Sequence, residues 1–157
     1  EITELSAAVF DTTVIVKGIV PPRRRKNDEL LNQQVEIHRL ARTFMDGVES
    51  GKTELNLPSI ALVETAAVVS RLTNHNKVAE EAVTLLQAIS TRILSDTEFL
   101  EEAIKVGIET KASGFDVVFL ACSKILGVPL VTDDKQLADI AKKYGYACVY
   151  LRDLLKS

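Results

Sequence analysis

Short apolar runs alternate with longer segments of helical periodicity along this chain. The runs lie at residues 7–10, 54–57, 92–94 and 129–131, with a fifth at 147–150, and they are bounded by Asp, Pro, Ser or Thr. Such runs are typical of buried β-strands. The segments between them place apolar residues three or four positions apart, which predicts helices at 34–49, 59–69, 78–89, 98–111, 117–126 and 135–144, after a first short helix that begins near Val14.

The order of these elements favours an α/β fold. One strand followed by two helices recurs three times, and a strand, a helix and a last strand close the series, which implies parallel strands with helices on both faces. We therefore expect a three-layer α/β/α fold with a central, mainly parallel sheet of four to five short strands. The length of 157 residues supports one domain spanning residues 1–157.

Composition narrows the function classes. With 46% hydrophobic and 26% charged residues, the chain has the composition of a globular domain and not of a disordered one. The net charge of −3 gives no overall attraction to a phosphate polymer or an anionic membrane, so nucleic-acid contacts must come from a local patch or from bound cations. No apolar stretch approaches the ~20 residues of a membrane span, which predicts a cytoplasmic protein.

The cysteines and histidines do not form a recognisable site. Cys122 and Cys148 each lie in an apolar run, where we expect buried free thiols and neither a disulfide nor a zinc site. His38 fits the inner face of its predicted helix, and His75 falls in a loop. A histidine general base or zinc ligand is therefore not expected.

The segment 19–33 breaks the α/β pattern. Pro21, Pro22 and the polarity around them predict a loop over the whole segment. This loop carries four consecutive cations, Arg23, Arg24, Arg25 and Lys26. Two interpretations stay open: a solvated run of charge, or an arm that contacts phosphates or a partner.

Two acidic elements follow strands directly. Asp11 comes after the run 7–10, and Asp133 and Asp134 come after the run 129–131. A parallel sheet opens its binding crevice at the carboxyl ends of its strands. Structural roles compete with this interpretation, because Asp11 could cap a helix that begins near Val14, and Asp133 with Gln136 would form a capping box. That assignment leaves Asp134 without a structural role.

Two further acids lie in predicted helices. Glu64 is inside the segment 59–69, which is almost apolar all round, so we expect it to be buried on most faces. A lone carboxylate there costs several kcal/mol, in order of magnitude, unless Arg71 or Lys77 pairs with it or it ligates a metal. Asp116 opens the helix at 117–126, where an acid also interacts favourably with the helix dipole.

Together these acids indicate metal chemistry. Four carboxylates in one crevice would repel each other, and their pKa values would rise, unless cations neutralised them. Mg²⁺ and Mn²⁺ prefer carboxylate oxygens, and Mg²⁺ keeps waters while also accepting phosphate oxygens. Two such ions activate a water and stabilise the leaving oxygen of a phosphodiester.

Four segments resemble, in order, motifs of the PIN-domain family of metal-dependent ribonucleases, and in particular its small stand-alone, toxin-like (VapC-type) members. Residues 9–16 resemble the opening strand with its Asp-Thr-Asn element, and residues 57–64 the strand and helix that deliver a glutamate. Residues 114–121 resemble the third acidic element, and residues 127–137 the closing Thr-x-Asp motif. Thr13 departs from the family's usual Asn, and the basic loop is longer than a minimal member requires.

The resemblance implies hydrolysis of RNA phosphodiester bonds. The ligands of one or two Mg²⁺ or Mn²⁺ ions would be Asp11, Glu64, Asp116 and Asp134. Residues expected beside them, where they would orient the carboxylates, are Thr12, Thr132 and Asp133. The resemblance also implies a homodimer and, for a toxin-like member, a small antitoxin that blocks the crevice.

Two other classes of function share features with this sequence. A PIN-like domain without activity could serve as a scaffold or an RNA-processing factor through protein and RNA binding. A phosphorelay receiver also has acids at the ends of parallel strands, but it would require an acidic pair before its first helix. Asp11 stands alone between Phe10 and Thr12, which disfavours the receiver.

Overall fold

Five parallel strands form one sheet in the computed structural model, which describes residues 4–155. The strands are β1 (Ala7–Phe10), β2 (Glu54–Pro58), β3 (Ser90–Leu94), β4 (Leu130–Thr132) and β5 (Cys148–Tyr150). Their order across the sheet is β3-β2-β1-β4-β5, and each neighbouring pair is parallel. All five predicted strands are confirmed, the first with its predicted bounds and the others with ends shifted by at most two residues.

Helices cover the sheet in two packed groups. They are α1 (Thr12–Ile19), α2 (Glu29–Glu49), α3 (Ile60–Thr73), α4 (Asn76–Ile89), α5 (Asp96–Thr110), α6 (Gly114–Leu126) and α7 (Lys135–Lys143), and a short 3₁₀ helix (Leu151–Leu154) follows β5. The helix α1 packs on α2 and α3, and α5 packs on α6. This is the expected three-layer α/β/α arrangement. Within residues 4–155, no helix has the length and apolar character needed to cross a membrane.

The core is centred on β1, the middle strand of the sheet. Its last three residues are fully buried, and Phe10 packs edge-on against Phe44 of α2 at a ring distance of 6.0 Å. The close approach of α1 to α2 requires Gly18, because a Cβ atom there would lie 2.8 Å from Cγ of Met45. The last turn of α1 is therefore packed closely against α2.

The loop predicted at 19–33 is shorter than expected. The helix α1 continues to Ile19, and α2 begins at Glu29 because Asp28 caps it by accepting a hydrogen bond from the backbone N–H of Leu31 at 3.0 Å. The prediction is wrong for the last residues of the segment, which belong to α2. The basic cluster lies in the loop that remains.

The helix α3 is much less buried than its composition suggested. Ala61, Thr65 and Val69 form its buried face, whereas Val63 is 64% exposed. The expectation that this helix is buried on most faces is therefore wrong. An apolar side chain can be buried without a free-energy cost, but the neighbouring elements determine which side chains are covered.

The two cysteines differ in their surroundings. Cys122 is buried in α6, and burial raises the pKa of its thiol to about 12. Cys148 in β5 is only partly buried, so the prediction of burial holds for Cys122 alone. Both are free thiols, as expected.

Candidate functional site

A crevice opens where the strand order reverses, at the carboxyl ends of β1 and β4. These strands are adjacent, and the backbone N–H of Asp11 donates to the carbonyl of Val131 at 3.0 Å. In parallel sheets this is the usual position of a binding site. A cavity of about 560 Å³ lies here. All four predicted acids line it: Asp11, Glu64, Asp116 and Asp134.

Asp11 lies at the base of the crevice and is only 4% exposed. Its Oδ1 accepts hydrogen bonds from the Thr13 hydroxyl at 2.6 Å and from the backbone N–H of Val14 at 3.2 Å, and its Oδ2 accepts one from the Thr132 hydroxyl at 2.6 Å. Asp11 is thus the N-cap of α1, which begins at Thr12 and not near Val14. The capping role and the position in the crevice hold together.

The roles predicted for Asp133 and Asp134 need correction. Asp134 is the N-cap of α7, because its Oδ1 accepts from the backbone N–H of Leu137 at 3.1 Å. The capping box predicted for Asp133 is therefore wrong, and Asp134 does have a structural role. The physical reason is that β4 continues to Thr132, which pairs with Tyr150 of β5, so the helix starts one residue later.

Asp133 is instead a buried charge beside the crevice. Its side chain is fully buried and forms an ion pair with Lys17, and its Oδ1 lies 3.6 Å from Nε of Arg152. Its backbone N–H donates to the Thr13 hydroxyl at 2.9 Å, and Thr13 in turn donates to Asp11. Asp133 therefore lies next to the acids, as expected, but it acts through Thr13.

Glu64 and Asp116 reach the crevice from two different helices. Glu64 is half-buried on α3 and accepts a hydrogen bond from the Thr12 hydroxyl. Across residues 4–155, neither Arg71 nor Lys77 forms an ion pair with Glu64. Because α3 is not buried on most faces, the free-energy cost expected for a lone buried carboxylate there does not arise. Asp116 lies in the first turn of α6, which begins at Gly114, three residues before the predicted start.

The acids perturb one another electrostatically. Burial raises the pKa of Asp11 to about 7, aided by the negative charge of Asp134 and opposed by hydrogen bonds from Thr13 and Thr132. Burial also raises the pKa of Asp116 to about 6, with the charges of Asp134 and Glu64 adding to the effect. The crevice therefore concentrates negative charge without compensating it in full, which is the condition that favours a bound cation.

The chemistry of this donor set fits a hard divalent cation, since it is composed of carboxylate oxygens with hydroxyls beside them. As the side chains stand, no group of three or more His, Cys, Asp or Glu within residues 4–155 is close enough to hold an ion. Several of the oxygens are instead engaged as helix caps or by threonine hydroxyls. Binding an ion would thus require the carboxylates to turn toward it.

Three residues of the crevice were not predicted from the sequence. In the sequence Thr13 is only a departure from the family's Asn, whereas in the structure its hydroxyl donates to Asp11. Lys17 and Arg152 line the cavity and lie on either side of Asp133. Lys17 is four residues after Thr13, so helical spacing could have placed it on the same face, whereas no sequence signal points to Arg152.

The basic cluster lies at the rim of the crevice. Arg23 lines the cavity, whereas Arg24 pairs with Asp28 at 2.5 Å, and Arg25 and Lys26 are exposed. His38 also lines the cavity, and its Nδ1 lies 2.6 Å from the carbonyl oxygen of Lys17. Because that carbonyl can only accept, Nδ1 is the donor, and His38 has a structural contact at this nitrogen.

Comparisons with known proteins agree with this geometry. The family model of the PIN domain matches residues 8–143 of the chain. A chain in the crystal structure of VapBC2 from Rickettsia felis bound to a DNA fragment from their promoter is similar in fold, with a TM-score of 0.59 and 12% sequence identity over 92% of this chain and 98% of that chain. Curated proteins gave no sequence match.

Proposed function

The chain belongs to the PIN-domain family, and we propose that it is a metal-dependent endoribonuclease that hydrolyses RNA phosphodiester bonds, as the toxin of a toxin–antitoxin pair. One observation carries this proposal: four carboxylates from separate segments line one crevice, where burial and, to a smaller extent, the charges of Asp134 and Glu64 raise the pKa of Asp116. A fold does not need such repulsion. It is the arrangement expected where a cation and a phosphodiester are to be bound.

The side chains have distinct roles in this proposal. Asp11, Glu64, Asp116 and Asp134 would hold one or two Mg²⁺ or Mn²⁺ ions. Bound there, such an ion supplies a water of lowered pKa and positive charge near the leaving oxygen. Thr132 and Thr13 donate to the two oxygens of Asp11, and Thr12 donates to Glu64, so these hydroxyls keep the carboxylates in the crevice until they turn toward an ion.

The test is cleavage of single-stranded RNA by the wild type and by Asp11→Asn and Asp116→Asn variants, with Mg²⁺ and with Mn²⁺. We expect each variant to lose on the order of 100-fold or more in rate, because each removes a carboxylate that would hold the metal ion. Asp28→Asn is a matched control, since Asp28 also caps a helix but lies outside the crevice. It should keep wild-type activity.

The alternative of an inactive scaffold or RNA-processing factor predicts a different result. Such a protein would bind RNA or a protein partner and would show no metal-dependent cleavage of any RNA tested. Cleavage that is equal in the wild type and in the Asp11 and Asp116 variants would point to a contaminating nuclease. Either result would overturn the proposed activity.

An antitoxin partner is part of the proposal. The similar Rickettsia felis structure contains VapBC2 bound to a DNA fragment from their promoter. We expect the gene beside this one to encode a small protein with a DNA-binding pattern, which would bind this chain and block cleavage. Co-purification of the two proteins and loss of RNA cleavage in the complex would support the pairing. Two co-expressed proteins that purify separately would contradict it.

A homodimer is also proposed. The helix α5 exposes Leu100, Ile104 and Ile108 at 56%, 55% and 75%, and their spacing of four residues puts them on one face. A second copy of the chain would cover this stripe. Sedimentation of the wild type should give a dimer, and Ile108→Asp should give a monomer, whereas Val35→Asp, at an exposed apolar position on α2, should leave the dimer intact. A monomeric wild type would contradict this.

A further inference from the structure

Two cations stand beside the acidic crevice and share a single buried partner. Lys17 of α1 and Arg152 of the 3₁₀ helix both approach Asp133, whose side chain is fully buried. Buried carboxylates require compensating charge, so one cation would suffice for Asp133. The second cation leaves an excess of one positive charge at a wall of the same cavity that the four acids line.

The cations are also accessible to a ligand. The side chains of Lys17 and Arg152 are 40% and 42% exposed, and both line the cavity. Nε of Arg152 lies 3.6 Å from Oδ1 of Asp133, too far for a hydrogen bond, and that oxygen has no hydrogen-bond partner within the described chain. The guanidinium is therefore placed by charge without being used as a hydrogen-bond donor to Asp133.

We propose that Lys17 and Arg152 form a phosphate-binding subsite for RNA next to the four carboxylates, and that Asp133 positions both cations. This rests on the proposed ribonuclease function and names the residues that bind the substrate backbone. A guanidinium and an ammonium are suited to phosphate oxygens. Without such cations, the carboxylates would repel an RNA strand as it enters the crevice.

Asp133 has a second effect on the site. Its backbone N–H donates to the Thr13 hydroxyl, and Thr13 donates to Asp11. One residue thus connects the phosphate-binding cations to the base of the crevice. Asp133 is a positioning residue in this arrangement, since its buried carboxylate does not reach the substrate.

The test measures binding of a fluorescent single-stranded RNA in EDTA, which prevents metal-dependent cleavage, across a series of salt concentrations. Lys17→Met and Arg152→Met should each weaken binding several-fold at low salt and reduce the slope of log K against log salt by ~0.7, the value for one phosphate contact on a single strand. Lys17→Arg should retain the wild-type slope. Lys52→Met, an exposed lysine in the turn before β2, is the control and should have no effect.

The variant Asp133→Asn tests whether RNA binding depends on the two cations or on the buried anion between them. It removes the buried anion but keeps both cations, so the salt slope should stay at least as steep as in the wild type. Since Lys17→Met could leave Asp133 insufficiently compensated, the double variant Lys17→Met with Asp133→Asn provides a folded protein that lacks the cation. Thermal unfolding confirms that each variant is folded before binding is measured.

The outcomes distinguish the two proposals. If the wild type cleaves and binds RNA but the Lys17 and Arg152 variants keep its salt slope, the subsite is refuted and the ion pairs are only structural. If the wild type neither binds nor cleaves RNA, the proposed function fails along with it. A reduced slope in both single variants and in the double variant, with no change in Lys17→Arg, would support the subsite.

Discussion

Replacing Asp11 by Asn should make the protein less sensitive to pH. Burial raises the pKa of Asp11 from 3.8 to about 7, which means that the native state pays a free-energy cost whenever this carboxyl is ionised. Between about pH 5 and about pH 8 the native state binds more protons at Asp11 than the unfolded state does. The free energy of unfolding must therefore fall as the pH rises through this range.

The magnitude follows from the two pKa values. Moving the pKa from 3.8 to about 7 corresponds to about 4 kcal/mol in total. Because the unfolded carboxyl is already ionised by about pH 5, about 2.5 kcal/mol of this is lost between about pH 5 and about pH 8. The Asn variant also loses the hydrogen bond that the Thr132 hydroxyl donates to Oδ2, at a cost of about 1 kcal/mol that does not depend on pH.

Urea unfolding of the wild type and the Asn variant in EDTA at these two pH values measures the effect. The stability difference should shift by about 2.5 kcal/mol in favour of the variant as the pH rises. Asp28→Asn is the control: the Arg24 guanidinium lowers the pKa of Asp28 to about 2, so this group does not titrate in the range. A variant of Asp11 that keeps the wild-type pH dependence would refute the claim that Asp11 is ionised at a cost.

Three further outcomes are expected. Mn²⁺ at a hundred times its Kd should raise the free energy of unfolding of the wild type by about 2.7 kcal/mol, and this increase should be smaller in Asp11→Asn. Calorimetric titration measures the Kd, and thermal unfolding measures the stabilisation. Replacing residues 23–25 with Ala should weaken RNA binding and flatten its salt dependence, and an unchanged slope would mean that this arm faces solvent or a protein. Gly18→Ala should destabilise by about 1 kcal/mol in urea unfolding, because the contact with Met45 at 2.8 Å outweighs the gain in helix propensity, whereas Gly47→Ala in α2 should be stabilising.

The sheet and the order of its elements could be predicted because their signals are local. Each strand is a short apolar run between polar or turn-forming residues, and the alternation with helices requires parallel pairing. The sequence therefore predicts where β1 ends and places Asp11 at that end. The capping box of α5 is local in the same way, since Ser95 and Glu98 lie three residues apart, and the Glu98 carboxylate accepts from the backbone N–H of Ser95 at 2.7 Å.

The errors arose where a distant element decides a local outcome. Both Asp133 and Asp134 are able to cap a helix, and the pairing of Thr132 with β5 selects Asp134. Lys17 and Arg152 are far apart along the chain, and only the fold brings them to Asp133. The exposure of Val63 on α3 likewise depends on which neighbours cover that helix.

The same carboxylate can cap a helix and also take part in a binding site. Asp11 and Asp134 each cap a helix, and each lines the crevice. A helix N-terminus carries partial positive charge, so it stabilises a carboxylate and fixes its position at the same time. The hydrogen bond from Val14 lowers the pKa of Asp11, yet burial and the charge of Asp134 keep this pKa raised, so the ionised carboxylate would still be stabilised by a cation. A helix cap at the carboxyl end of a parallel strand is thus one way to build an anionic site. A capping role therefore does not argue against a functional role for the same carboxylate.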